Sequence, residues 1–200
     1  MTSKRSIYIT ILSLLIFTGC AQRPQIEQAF DFEQHKIDAG NLKQWEIRAR
    51  FSVKTSEQAF SASLTWLEQQ NKQQLEIHGM LGQTYANLLI TPEQAELIVE
   101  DDPPYRAPTA ERLMLQHLGY VIPMSYLTDW IRAIPSGADK KDMKFDDKGY
   151  LESIRVQQWR VSYSRYKRFA GMKHIELPSR ITLENGFETI KLAVKGWQEQ

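Results

Sequence analysis

Few residues in this 200-residue chain could make or break bonds. Cys20 is the only cysteine, and the four histidines, His35, His78, His117 and His174, are spread over most of the chain. One thiol cannot close an intramolecular disulfide, so it needs another purpose. No two histidines stand at metal-ligand spacing, and ordinary surface or capping roles are their simplest reading. Neither a G-x-S-x-G nucleophile elbow nor a phosphate-cradling glycine loop occurs. The inventory points away from catalysis, metals and soluble cofactors, with a hydrolase of unrecognised site kept as an outside alternative.

The setting of Cys20 supplies the missing purpose. Lys4 and Arg5 precede an apolar run of 11 residues, Ile7 to Phe17, followed by Thr18 and Gly19. That run is too short for a bilayer core needing about 20 helical residues, so residues 1–19 read as an export signal. Phe17-Thr18-Gly19-Cys20 resembles the lipobox of bacterial lipoproteins, although Phe17 replaces the more usual Leu. The resemblance implies cleavage before Cys20 and a covalent lipid anchor on its thiol. Ala21 stands where many inner-membrane lipoproteins carry Asp, which suggests the outer membrane, facing the periplasm. One acyl chain binds membranes only marginally, whereas several hold firmly.

Charge narrows the partners. The chain has 25 Lys+Arg against 24 Asp+Glu; without Lys4 and Arg5 the balance is 23 − 24 = −1. A protein held to nucleic acid by phosphate neutralisation would carry a basic excess, so nucleic acid is not an expected partner.

Residues 20–44 read as a tether with a short helical piece, since Pro24, Gly40 and scattered polar residues break any long pattern. Fully extended, such a segment spans roughly 80 Å. A single domain then covers 45–200. Trp45, Ile47, Ala49, Phe51 and Val53 alternate with polar residues, and Phe60, Ala62, Leu64 and Trp66 repeat the pattern. Such alternation marks strands with one dry face. Further strands are expected at 74–78, 85–90, 95–100, 151–157 and from Trp159, and Asn185-Gly186 marks a hairpin before a last strand.

Helical spacing appears at Ala110, Leu113, Met114, His117 and Leu118, and again at Leu127, Trp130, Ile131 and Ile134. The expected architecture is mainly β (α+β), with about nine to eleven strands in a sheet large enough to curl and short helices against it.

Three local features admit two readings each. Trp66 and Trp159 on strands and Trp130 on a helix stripe are either ordinary core or the lining of a partly filled concave face. Acidic Glu93, Glu96, Glu100, Asp101 and Asp102, and basic Arg155, Arg160, Arg165, Lys167, Arg168 and Lys173, are either solvated faces or docking surfaces for a carrier or headgroups. Met80 and Leu81 occupy a turn bracketed by Gly79 and Gly82. There Leu81 either folds back on the domain or points outward into a membrane or an apolar site, with about 1.5 to 3 kcal/mol at stake.

The Trp45 to Phe51 strand, Leu64-Thr65-Trp66, Met80-Leu81-Gly82, Gly119 to Pro123, Leu127 to Pro135, the Trp159 strand, Leu177-Pro178 and Ile190 to Trp197 follow the order seen in the LolB family. The resemblance covers essentially residues 42–197. It implies an incomplete, curved antiparallel β-barrel whose open side is covered by helices and which encloses an apolar cavity. It also implies an outer-membrane receptor, not an enzyme, that accepts acylated lipoprotein cargo from the periplasmic carrier LolA and places it among outer-membrane phospholipids. Met80 and Leu81 then form the membrane-insertion loop, and Trp66, Trp130 and Trp159 are the candidate acyl-cavity residues. A monomer is expected. A lipid-anchored envelope scaffold without transfer activity is the alternative.

Overall fold

Alternating residues turn one face of each long segment inward, and the computed structural model assembles those segments into one antiparallel sheet. It describes residues 29–79, 81–99, 102–118 and 121–200. The signal, Cys20, Met80, Glu100, Asp101 and Gly119 lie outside the described residues. The strands are β1 (Gln44–Lys54), β2 (Ala59–Gln69), β3 (Lys72–His78), β4 (Thr84–Ile90), β5 (Ala95–Val99), β6 (Tyr105–Ala107), β7 (Met143–Phe145), β8 (Leu151–Val156), β9 (Trp159–Phe169), β10 (Met172–Glu184) and β11 (Thr189–Glu199). The helices are α1 (Phe32–Asn41), α2 (Ala110–Leu118) and α3 (Met124–Trp130).

The 11 strands run in the order β6-β5-β4-β3-β2-β1-β11-β10-β9-β8-β7, so the two chain halves meet where β1 pairs with β11. β6 and β7 are edges, and the sheet curls without closing. Register shifts at Arg48/Ala49, Ile77/His78, Lys144/Phe145 and Met172/Glu176 supply local bends. Pro178 is accommodated because β11 pairs with β10 only from Arg180 onward, leaving one side of the proline free of ladder bonds.

The inward residues of β1, Trp45, Ile47, Ala49 and Val53, are buried, and Trp45 packs against Trp66 and Trp197 at ring-centroid distances of 5.4 and 5.0 Å. β6 and β7 escape the sequence pattern because three residues are too few to show alternation.

Helix α1 occupies the stretch read as a tether. Asp31 caps it, its Oδ1 accepting the Gln34 N–H at 3.0 Å. Its buried positions are His35 and Ala39, one turn apart, while Ile37 faces outward. A histidine and an alanine make no apolar stripe, which is why the helix leaves no periodic signature. His35 is also a correction to a surface or capping role: it is 3% exposed.

Candidate functional site

The concave side of the β1–β5 half is incompletely filled. A hollow of about 450 Å³ lies there, walled by Phe51, Leu64, Trp66, Ile77, Leu88 and Leu97 from the sheet, among others. Leu113, Met114 and His117 of α2 and Met124 and Leu127 of α3 cover it, and Leu183, Ile190 and Leu192 of β10 and β11 complete the wall. Its volume falls in the usual range of about 300–1,000 Å³ for ligand sites. Apart from Thr55, Gln58 and His117, the wall presents hydrocarbon and aromatic rings, so the hollow can shelter apolar groups but has no set of groups for bond chemistry.

The helices sit over the hollow for identifiable reasons. Thr109 caps α2, its Oγ1 accepting the Arg112 N–H at 3.2 Å. Glu111 of α2 accepts the Ser125 N–H at 2.9 Å, satisfying a free donor in the first turn of α3 and joining the two helices. At its far end α3 closes with Ala133 in the left-handed region at φ 58, where the Ala133 N–H reaches the Trp130 carbonyl and the Ile134 N–H reaches that of Asp129, each at 3.0 Å.

Of the three tryptophans expected around a cavity, Trp66 is in the wall, while Trp130 and Trp159 stand apart from it. Trp130 lies one turn beyond Leu127, stacks on Tyr126 at 5.5 Å and donates its Nε1–H to the Ser136 carbonyl at 3.0 Å. Trp159 is buried at the start of β9, opposite Val156 in the other half of the sheet. Wall residues such as Leu97 and Ile122 carry no sequence signal beyond being apolar; only the curl brings them to one space.

A second hollow, about 590 Å³, lies on the β8–β10 side and is lined by Lys141, Lys144, Arg155, Arg160 and several hydroxyls. Its lining is charged and polar, so it does not suit hydrocarbon. The basic run contributes Arg155 and Arg160 to it, facing each other across β8 and β9. In the acidic run Glu96 pairs with Arg106 at 2.5 Å.

The apolar hollow reaches the sheet end that carries the 55–58, 79–83 and 185–188 turns, with Thr55, Gln58, Phe60 and Tyr85 in its wall there. Phe60 and Tyr85 are each 46% exposed. On the 79–83 turn Leu81 is 93% exposed, and the turn is closed by the Gly79 N–H to the Gln83 carbonyl at 2.9 Å. Gly82 at φ 86 takes the left-handed conformation that suits glycine. Leu81 therefore stands exposed on a turn beside the hollow.

These features define a class of single-sheet protein, one whose curled face is covered by helices yet left partly empty. The chain belongs to the family described as outer membrane lipoprotein LolB, whose profile matches residues 43–197. Membership sets it among non-enzymatic lipoproteins of the outer membrane.

It is 28% identical to the outer-membrane lipoprotein LolB of Pseudomonas savastanoi pv. phaseolicola, over 96% of this chain and 95% of that one. It is 29% identical to the LolB of a Pseudomonas putida strain, over 99% and 97%. Among solved structures, a LolA superfamily protein of Nitrosomonas europaea superposes with a TM-score of 0.53 at 10% identity, covering 86% of this chain and 94% of that one. A DUF1329 family protein of Desulfovibrio piger gives 0.53 at 6%, covering 84% and 90%. Both share the fold.

Proposed function

We propose that this protein receives acylated lipoproteins from the periplasmic carrier LolA and inserts them into the inner leaflet of the outer membrane, itself anchored by lipid on Cys20. The observation that carries this reading is the apolar hollow opening beside a projecting, almost wholly exposed Leu81. Acyl chains cannot cross water bare: exposing about ten methylenes costs roughly 8 kcal/mol. They pass instead between sheltered sites, each more favourable than the last, from carrier to this hollow and from hollow to bilayer.

No nucleotide or bond cleavage enters such a sequence. Trp66 and its neighbours hold the chains, and the loop of Met80 and Leu81 enters the bilayer and opens the exit path. A single leucine contributes about 1.5–3 kcal/mol, enough for repeated contact and too little for anchoring. The test is transfer of an acylated lipoprotein from loaded carrier to this protein and on to vesicles. Leu81→Glu should accept cargo as the wild type does and deliver it poorly; normal delivery would overturn the role of the loop, and failure of the wild type to accept cargo would overturn the function.

A further inference from the structure

Leu81 is not the only apolar side chain held out at this end of the sheet. Phe187, at the tip of the β10–β11 hairpin, is 79% exposed, second among the exposed large apolar residues described. Its turn is rigidly built: Asn185 Oδ1 accepts the N–H groups of Phe187 and Glu188 at 2.9 and 2.8 Å, and Gly186 adopts φ 91. Nothing in that hydrogen bonding requires an aromatic residue at the tip, where exposure to water is unfavourable.

Strand register places this tip relative to Leu81. Lys54 pairs with Thr189 on β11 and with Ala59 on β2, so the 185–188 and 55–58 turns are neighbours at one end. Ser63 pairs with His78, which puts the 79–83 turn at the same end. The two apolar tips are four strand spacings apart, about 19 Å along the sheet. Between them lie the polar turn Thr55–Gln58 and the half-exposed Phe60 and Tyr85 of the hollow's rim.

We infer that Phe187 is a second membrane-contact point, which with Leu81 sets the hollow's mouth at a fixed angle against the phospholipid surface. The inference rests on the membrane role of Leu81 proposed above. One inserted side chain lets the domain swivel; two define an axis, and the rim lies between them.

The partner is a bilayer rather than a protein because a stable protein interface buries a continuous patch of about 800 Å² per partner. Here the two most exposed apolar side chains stand on separate turns, with the polar 55–58 turn and only the half-exposed Phe60 and Tyr85 between them, and a fluid bilayer needs no matching shape. Within the three turns the ionisable residues are Glu57 and Glu188 and none is basic, so contact at the tips is apolar rather than a charge attraction to anionic lipid.

The test uses the full chain anchored through its own lipid in phosphatidylethanolamine and phosphatidylglycerol vesicles. With Cys20 lipidated, a cysteine introduced as Phe187→Cys, Leu81→Cys or Asn71→Cys carries the sole free thiol for an environment-sensitive dye. Asn71, in the β2–β3 turn at the opposite end, is the reference. Blue-shifted emission at 187, quenched by lipids brominated in their acyl chains and persisting in added salt, is the expected result. Quenching at 81 but not 187 overturns this inference and leaves the role of Leu81 standing. Quenching at neither overturns both. Quenching at 187 alone supports the second contact and removes the first, and equal quenching at 71 overturns the inference by showing adsorption without orientation.

Discussion

The Nε2 of His35 donates to the backbone carbonyl of Arg132 at 2.9 Å, joining residues 97 positions apart. Because a carbonyl only accepts, Nε2 carries the proton, and Nδ1 is buried without a partner. Arg132 returns the contact: its Nη1 donates to the carbonyls of Ala39 and Leu42 at 2.7 and 3.0 Å, its Nη2 to Asp129 at 2.7 Å, and its Nε to Thr128 at 3.1 Å. The guanidinium thus satisfies the C-terminal end of α1 and clamps that helix to α3. Arg132→Met should cost about 3 kcal/mol, since it leaves Asp129 without its cation and two carbonyls short of a donor. Urea unfolding measures this, and a change below about 1 kcal/mol would show that the clamp contributes little.

Burial lowers the pKa of His35 below 6.5, outweighing the carbonyl of Arg132 and the charges of Asp38 and Glu176. The folded state then binds fewer protons than the unfolded chain just below pH 6.5, so stability is lost as pH falls through that window. His35→Gln, which keeps an N–H donor, should weaken this acid sensitivity in urea-midpoint measurements across pH.

Glu68 behaves in the opposite sense. Burial pushes its carboxyl up to about 7 from 4.5, against the attraction of Arg132, and its Oε2 is buried without a partner. The folded state therefore binds more protons than the unfolded chain between these values, and stability rises as pH falls from above 7 toward 4.5. Glu68→Gln should be more stable than wild type above pH 7 and should lack this gain on acidification. Identical pH profiles for the two proteins would contradict the assignment.

Filling the hollow separates shelter from fold. Ala86 lies in its wall on β4 and is only half-buried. Ala86→Phe should weaken binding of a fluorescent fatty-acyl probe about tenfold, the equivalent of roughly two methylenes, with little change in unfolding midpoint. Trp159→Phe, outside the wall, should lower stability while leaving probe affinity unchanged. Equal losses of affinity in both variants would place the binding site elsewhere.

At Gly171 a Cβ would come within 2.5 Å of the Trp197 carbonyl oxygen, where the β9–β10 turn meets the end of β11. That contact is with backbone, which cannot swing aside. Gly171→Ala should cost about 1–3 kcal/mol in chemical unfolding, and a neutral effect would mean that the turn shifts freely.

The amino-acid sequence by itself determined the longer strands, though not the three-residue edges β6 and β7. Period-two alternation at Trp45–Val53 and Phe60–Trp66, Asn-Gly at 185–186 and glycines around Met80-Leu81 are local features, set by which face meets water and which residues tolerate a turn. The α2 and α3 stripes are legible for the same reason. Tertiary structure alone decided which apolar residues surround empty space and which fill core. Trp66 and Trp159 carry the same strand signal, yet the curl of the sheet puts one in the hollow's wall and the other away from it. It also turned a polar segment into helix α1, because His35 and the Ala39 carbonyl meet Arg132, far along the chain. Local pattern states that a side chain seeks shelter; packing against distant residues decides what it finds there.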